Sequence, residues 1–327
     1  MGKQKNAWKR ALFCVILILV IVVMISGLRI LESTVFYDEQ EQADAYVSKT
    51  ISVDGTEYYP RRDITVLMLL GIDQTGPVQD SGSYRNSGAS DVVMLILFDE
   101  KQETYSVLAL NRDTMVEMPV LGIGGREAGT AKGQLALAHT YGSGLEDSCE
   151  NVRKTVSGFL NGITIDHYLS LNMDAIAVLN DVVGGVTVTV TEDFSAVDPT
   201  IAQGTVTLHG EQAVHYLRSR RDVGNQLNVS RMERHRSYMY GFAEAFQTKL
   251  TENDSFVMTA LSEITPYMVT DCSVNTLTGM MERYADYTLE EIVSPEGKNM
   301  QGEEHYEFYA EKEKLEELIL RLFYAPK

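Results

Sequence analysis

Six arginines lie within 19 residues, Arg218, Arg220, Arg221, Arg231, Arg234 and Arg236, and no lysine stands among them. A guanidinium is planar, stays charged and grips two phosphate oxygens at once, so an all-arginine cluster suits phosphate. Ser230 and Glu233 have the spacing of a capping box and predict a helix beginning at Arg231. Arg231, Arg234 and His235 then stand at i, i+3 and i+4 on one helical face. A helix N-terminus ringed by arginines is a ready anion site. The same residues would also make a solvated basic face, paired with Glu211, Asp222 and Glu233.

Two acids add a second kind of chemistry. Asp73 follows the apolar run Ile64 to Leu70, and Asp91 precedes the run Val92 to Phe98. Carboxylates at strand ends often point into a ligand crevice, and two of them with substrate phosphates can hold Mg²⁺. Asp is equally at home as a turn residue. Arg112, in Asn111-Arg112-Asp113-Thr114, is a further phosphate candidate or half of an Arg–Asp structural pair.

The elements that must position these residues are legible from apolar periodicity. Ile64–Leu70, Val92–Phe98 and Tyr105–Leu110 are short apolar runs bounded by turn residues and read as core strands, the last two forming a hairpin. Residues 111–133 read as a glycine-rich loop. Helices are predicted over 145–160 and 174–183, with strands at 168–171 and 186–190. Further helices follow near 210–219, 230–249, 273–284 and 311–323. Strands interspersed with helices predict an α/β fold, a central mixed sheet flanked by helices.

Ahead of this domain, residues 11–28 are 18 consecutive uncharged positions rich in Leu, Ile and Val. That is about the shortest stretch able to span a bilayer as a helix. Lys3, Lys5, Lys9 and Arg10 precede it and acids follow, which predicts an N-terminal transmembrane helix with the rest of the chain outside the cell membrane. A cleaved signal peptide is the other reading, although no A-x-A-like site follows. The resulting division is a cytoplasmic tail at 1–10, an anchor at 11–28 and an extracytoplasmic connector at 29–62. A catalytic domain at 63–250 and a C-terminal part at 251–327 packing on it complete the chain.

The formal net charge of −18 argues against nucleic acid as a partner. Three cysteines, Cys14, Cys149 and Cys272, carry no zinc-type spacing. Cys149 and Cys272 would face an oxidising compartment, and whether they pair is open. No H-E-x-x-H, G-x-S-x-G or G-x-G-x-x-G is present, and the glycines at 124–129 lead into Thr130-Ala131, which does not complete a phosphate loop.

Taken in order, the motifs resemble the LytR–CpsA–Psr family of cell-wall ligases. They are Gly71-Ile72-Asp73, Ser90-Asp91, Arg112-Asp113-Thr114 and Ile165-Asp166-His167-Tyr168. Leu179 to Val186 with its Gly-Gly-Val, Leu208 to Ala213 running into Arg218-Ser219-Arg220, and Arg231 with Arg234 complete them. The likeness covers roughly residues 64–245. It implies a membrane-anchored, Mg²⁺-dependent phosphotransferase that holds a polyprenyl pyrophosphate in an apolar tunnel. Such an enzyme moves the attached glycopolymer, a teichoic acid, capsule or similar polymer, to a peptidoglycan hydroxyl. By position, Asp73 and Asp91 would be the metal-associated acids, and Arg112, Arg218, Arg220 and Arg231 would grip the pyrophosphate. Asp73 and Arg112 would be catalytic, while Arg234, His235 and Arg85 from the loop before Asp91 would complete substrate binding. Ala89, Asn228 and His235 stand where the family usually has Arg, Asp and Gln, and no Arg follows Asp73, so this is a divergent branch. A polyprenyl-pyrophosphate-binding protein without catalysis and an extracellular pyrophosphatase are the other readings.

Overall fold

A computed structural model describes residues 50–327, apart from 54, 123–124, 220–222, 224–227, 254–255, 285 and 303–304. The span expected over 11–28 lies outside the described residues. Among those described, no helix is long and apolar enough to cross a membrane.

In chain order the strands are β1 (Ile51–Val53), β2 (Thr56–Pro60), β3 (Ile64–Ile72), β4 (Ser90–Asp99), β5 (Thr104–Leu110), β6 (Met115–Leu121) and β7 (Glu127–Gln134). They continue as β8 (His167–Asn172), β9 (Val186–Val190), β10 (Gly204–Leu208), β11 (Met268–Thr270), β12 (Thr288–Val293), β13 (Gly297–Gln301), β14 (Tyr306–Ala310) and β15 (Tyr324–Pro326). The helices are α1 (Glu146–Phe159), α2 (Asp174–Val182), α3 (Glu211–Arg218), α4 (Asn228–Glu252), α5 (Phe256–Ile264), α6 (Val274–Tyr284) and α7 (Lys312–Phe323).

The central sheet runs β11-β8-β3-β4-β5-β12. It is mixed: β3 pairs parallel with β8 and β5 with β12, while β4 is antiparallel to both its neighbours. The unbroken apolar runs of the inner strands follow from burial on both faces. Leu67, Ile96 and Leu169 enter one core, with Tyr238, Phe242 and Phe246 of α4. Val66, Met68, Leu70, Leu95 and Leu97 enter the other, with Val152 and Val156 of α1 and Leu322 and Phe323 of α7. Each α4 aromatic is one helical turn from the next, and burying each contributes about 1.5–3 kcal/mol.

Four expectations change. Residues 51–60, read as connector, form β1 and β2, and β2 pairs with β15 at the C-terminus. Residues 111–133, read as loop, contain the β6–β7 hairpin, with Val116 and Met118 alternating into the core. The C-terminal part enters the central sheet itself through β12. α4 begins at Asn228, so Ser230 sits inside its first turn instead of capping it. Cys149 and Cys272 are unpaired thiols. They belong to the two cores on opposite faces of the sheet, which keeps them apart.

Candidate active site

The end of the central sheet where β3 stops and β4 starts carries the site. Register there shifts: Gly71 faces Val92, while Ile72 faces Ser90, leaving Asp91 as the extra residue of a β-bulge. A bulge re-aims the side chain it inserts and bends the strand. Gly71 permits the close crossing, since a Cβ there would stand 3.0 Å from the Val92 Cβ. Asp73 follows β3, and its N–H donates to the Ala89 carbonyl at 2.9 Å, drawing both acids to one rim.

Arginines from two other segments reach this rim. Arg112, just beyond β5, donates through Nη1 to Asp91 Oδ1. Its Nε also lies 3.7 Å from Asp113 Oδ1. Arg218, the last residue of α3, donates through Nη2 to Asp73 Oδ1 at 3.0 Å. The four side chains remain 27–48% exposed, so the charges are assembled yet open to a ligand. Partial burial raises the Asp91 carboxyl above its usual pKa; Arg112 opposes the shift, the neighbouring Asp73 charge adds to it and Arg218 opposes it. The two pairs therefore act as one electrostatic unit. Each acid is engaged through Oδ1, which leaves oxygen donors suited to a hard divalent cation such as Mg²⁺.

The connecting loop between Asp73 and Asp91 is held by residues that spacing did not reveal. Asn86 donates through Nδ2 to the carbonyls of His139 (2.8 Å) and Gly142 (3.0 Å) and to Ser148 Oγ (3.1 Å). Gly88 N–H donates to Asn86 Oδ1 at 2.7 Å, and buried His139 donates through Nδ1 to the Gly88 carbonyl at 2.8 Å. At the loop's other end, Asp174 accepts from Gly76 N–H at 2.7 Å. Nothing in sequence spacing distinguishes Asn86 or His139, because most of their partners lie in a distant segment of the chain.

The remaining expected residues separate. Arg234 is not at the rim. It is buried, paired with Glu192, and donates to the carbonyls of Tyr216 (2.9 Å) and Ser219. A buried guanidinium needs such partners. Its place is behind α3, where it ties down the turn that carries Arg218. Arg85 lies with its guanidinium 3.9 Å from the centre of the Tyr141 ring, a cation–π stack. Arg220 and the side chains of Arg231 and His235 lie outside the described residues.

The chain is similar to a protein of Enterococcus faecalis named polyisoprenyl-teichoic acid–peptidoglycan teichoic acid transferase TagU. They are 31% identical over 198 residues, 60% of this chain and 59% of that relative, so the match spans under two thirds of the relative's length. Among solved structures, a Streptococcus agalactiae protein, gbs0355, superposes with a TM-score of 0.61 at 22% identity. It covers 80% of this chain and 86% of that one. A structure described as TagT bound to LI-WTA superposes at 0.55 with 22% identity, covering 80% and 90%. At these identities the superpositions establish a shared fold. Residues 30–322, nearly the whole chain, match the LytR_cpsA_psr family, and the chain belongs to that family.

Proposed function

We propose that this protein transfers a phospho-glycopolymer from a polyprenyl-pyrophosphate carrier to a peptidoglycan hydroxyl outside the cytoplasmic membrane. The observation that carries this reading is the rim where Asp73, Asp91, Arg112 and Arg218 meet from separate segments of the chain. The name of its Enterococcus faecalis relative supports the same reaction class. Residues 11–28 would anchor the chain in the membrane with the site on the outer side, within reach of a lipid-linked substrate.

Phosphoryl transfer asks the protein for alignment and charge neutralisation more than for a nucleophile. Arg112 and Arg218 would leave their carboxylate partners and fork onto pyrophosphate oxygens, holding the glycan-linked phosphorus in line with the incoming hydroxyl. Asp73 and Asp91 would hold Mg²⁺, which when bound neutralises charge on the phosphates. A new bond forms between the sugar oxygen and the glycan-linked phosphorus. The bridging P–O bond breaks, and polyprenyl phosphate departs with the bonding electron pair. Asp73 would take the hydroxyl proton through the carboxylate oxygen left free of the metal.

The test supplies the purified full chain in detergent with a lipid-linked pyrophosphate glycan, Mg²⁺ and peptidoglycan, and follows covalent polymer–wall product. Arg112→Ala should lower the rate about 100–1000-fold while circular dichroism stays native. Arg218→Lys should also lose activity, because Lys keeps the charge without the fork. EDTA should stop turnover and added Mg²⁺ restore it. Release of phosphate with no wall-linked product would make the protein a hydrolase, and tight carrier binding without turnover would make it a binding protein.

A further inference from the structure

The opposite end of the central sheet holds a second cluster of ligating side chains. β11 pairs antiparallel with β8, and Thr270 faces Leu169. Continuing that register sets Asp271 beside Tyr168 and Cys272 beside His167. The ladder ends in a side-chain bond: Tyr168 N–H donates to Asp271 Oδ1 at 2.9 Å. The nearest ligand atoms of His167, Asp271 and Cys272 all lie within 4.8 Å of one another. His167 Nδ1 is 3.7 Å from Asp271 Oδ1, and Cys272 Sγ is also 3.7 Å from that oxygen.

We infer that His167, Asp271 and Cys272 form a Zn²⁺ site, with the fourth position open to solvent. Zinc bonds to imidazole nitrogen, carboxylate oxygen and thiolate sulfur imply tetrahedral edges of about 3.4–3.6 Å. The two measured separations exceed these by only a tenth or a few tenths of an ångström. The mixed nitrogen, oxygen and sulfur set selects a borderline-soft ion and disfavours Mg²⁺, which prefers oxygen alone. Supporting bonds fix the ligands: Arg153 Nη1 lies 3.4 Å from Asp271 Oδ2, and Cys272 N–H donates to Thr270 Oγ1 at 3.1 Å. Such outer partners orient the first ligands of a metal site. His167 and Asp271 are partly exposed, which gives an ion a path in, while Cys272 is buried. On binding, the Cys272 thiol releases its proton to solvent and coordinates as thiolate.

The site is separate from the phosphotransfer rim. His167 faces Leu67 and Asn172 faces Ile72, so five residue steps along the strand, about 17 Å, separate the two ends. Its effect is structural. β11 is a three-residue strand at the sheet edge, and a metal bound across it and β8 would staple that edge and the turn leading into α6.

The test titrates the metal-free full chain in detergent with Co²⁺, then Zn²⁺, with Mg²⁺ present throughout. The expected result is one Co²⁺ per chain with thiolate-to-metal charge-transfer absorption that Zn²⁺ abolishes, and a higher melting temperature with Zn²⁺. Cys272→Ser should remove the absorption, His167→Gln should weaken binding about tenfold or more, and Cys149→Ser should leave it unchanged. His167 is partly exposed, so its substitution should leave the fold intact. Absence of the absorption in the wild-type chain, or its survival in both Cys272→Ser and His167→Gln, overturns the site.

Discussion

Acidification should destabilise this protein through one buried histidine. His139 is 1% exposed and donates through Nδ1 to the Gly88 carbonyl. A carbonyl can only accept, so Nδ1 carries the proton and Nε2 is a bare acceptor, with no hydrogen-bond partner among the described residues. Protonating Nε2 would bury a charge with no acceptor for its new proton among the described residues. Burial accordingly lowers the His139 pKa from 6.5 to about 4, against smaller opposing effects of Gly88 and the Asp147 charge. Between these values the unfolded chain binds a proton that the native chain refuses, so stability falls as pH falls. The linkage predicts a loss of about 2 kcal/mol between pH 7 and 5, reaching about 3 kcal/mol by pH 4. Other carboxylates titrate in this range, so the informative quantity is the difference from His139→Asn, whose amide can still donate to Gly88. Urea unfolding followed by circular dichroism at pH 7, 6 and 5 should show the wild type losing about 2 kcal/mol more than the variant. Parallel pH profiles for the two proteins would refute the reasoning.

Two further substitutions test how the site is held. Arg234→Ala strands the Glu192 carboxylate in a buried setting and should cost about 3–5 kcal/mol by denaturant unfolding, whereas Arg234→Met with Glu192→Gln should recover most of it. A cost below about 1 kcal/mol for the single variant would mean the pair is not desolvated. Gly241 lets α4 press onto β9, since a Cβ there would stand 2.2 Å from the Thr187 carbonyl oxygen. Gly241→Ala should therefore lower stability by about 1–3 kcal/mol, and an unchanged melting temperature would contradict that packing.

Local pattern determined a good deal. The apolar runs at 64–70, 92–98 and 105–110 are all strands of the central sheet, because residues buried on both faces leave no polar alternation. The helices at 145–160 and 174–183 begin and end within a residue of their periodic patterns. The order of short motifs, from Gly71-Ile72-Asp73 to Arg231 and Arg234, was enough to indicate the family. Pairing and burial were decided elsewhere. Arg234 has the same chemistry as Arg218, yet one is enclosed by Glu192 and two carbonyls and the other is at the rim. Helical spacing cannot separate them, because the difference comes from Glu192, beyond β9, and the carbonyls of Tyr216 and Ser219, which distant chain segments bring around Arg234 alone. Residues 111–133 hid a hairpin because glycines masked the alternation of Val116 and Met118. Asp91 depends on a bulge, and a one-residue shift in register leaves no trace in composition. Cys149 and Cys272 invited a disulfide that two-faced sheet packing forbids. Sequence periodicity records what each residue must bury, while contacts between distant segments, which only the folded chain brings together, decide which charges meet a ligand.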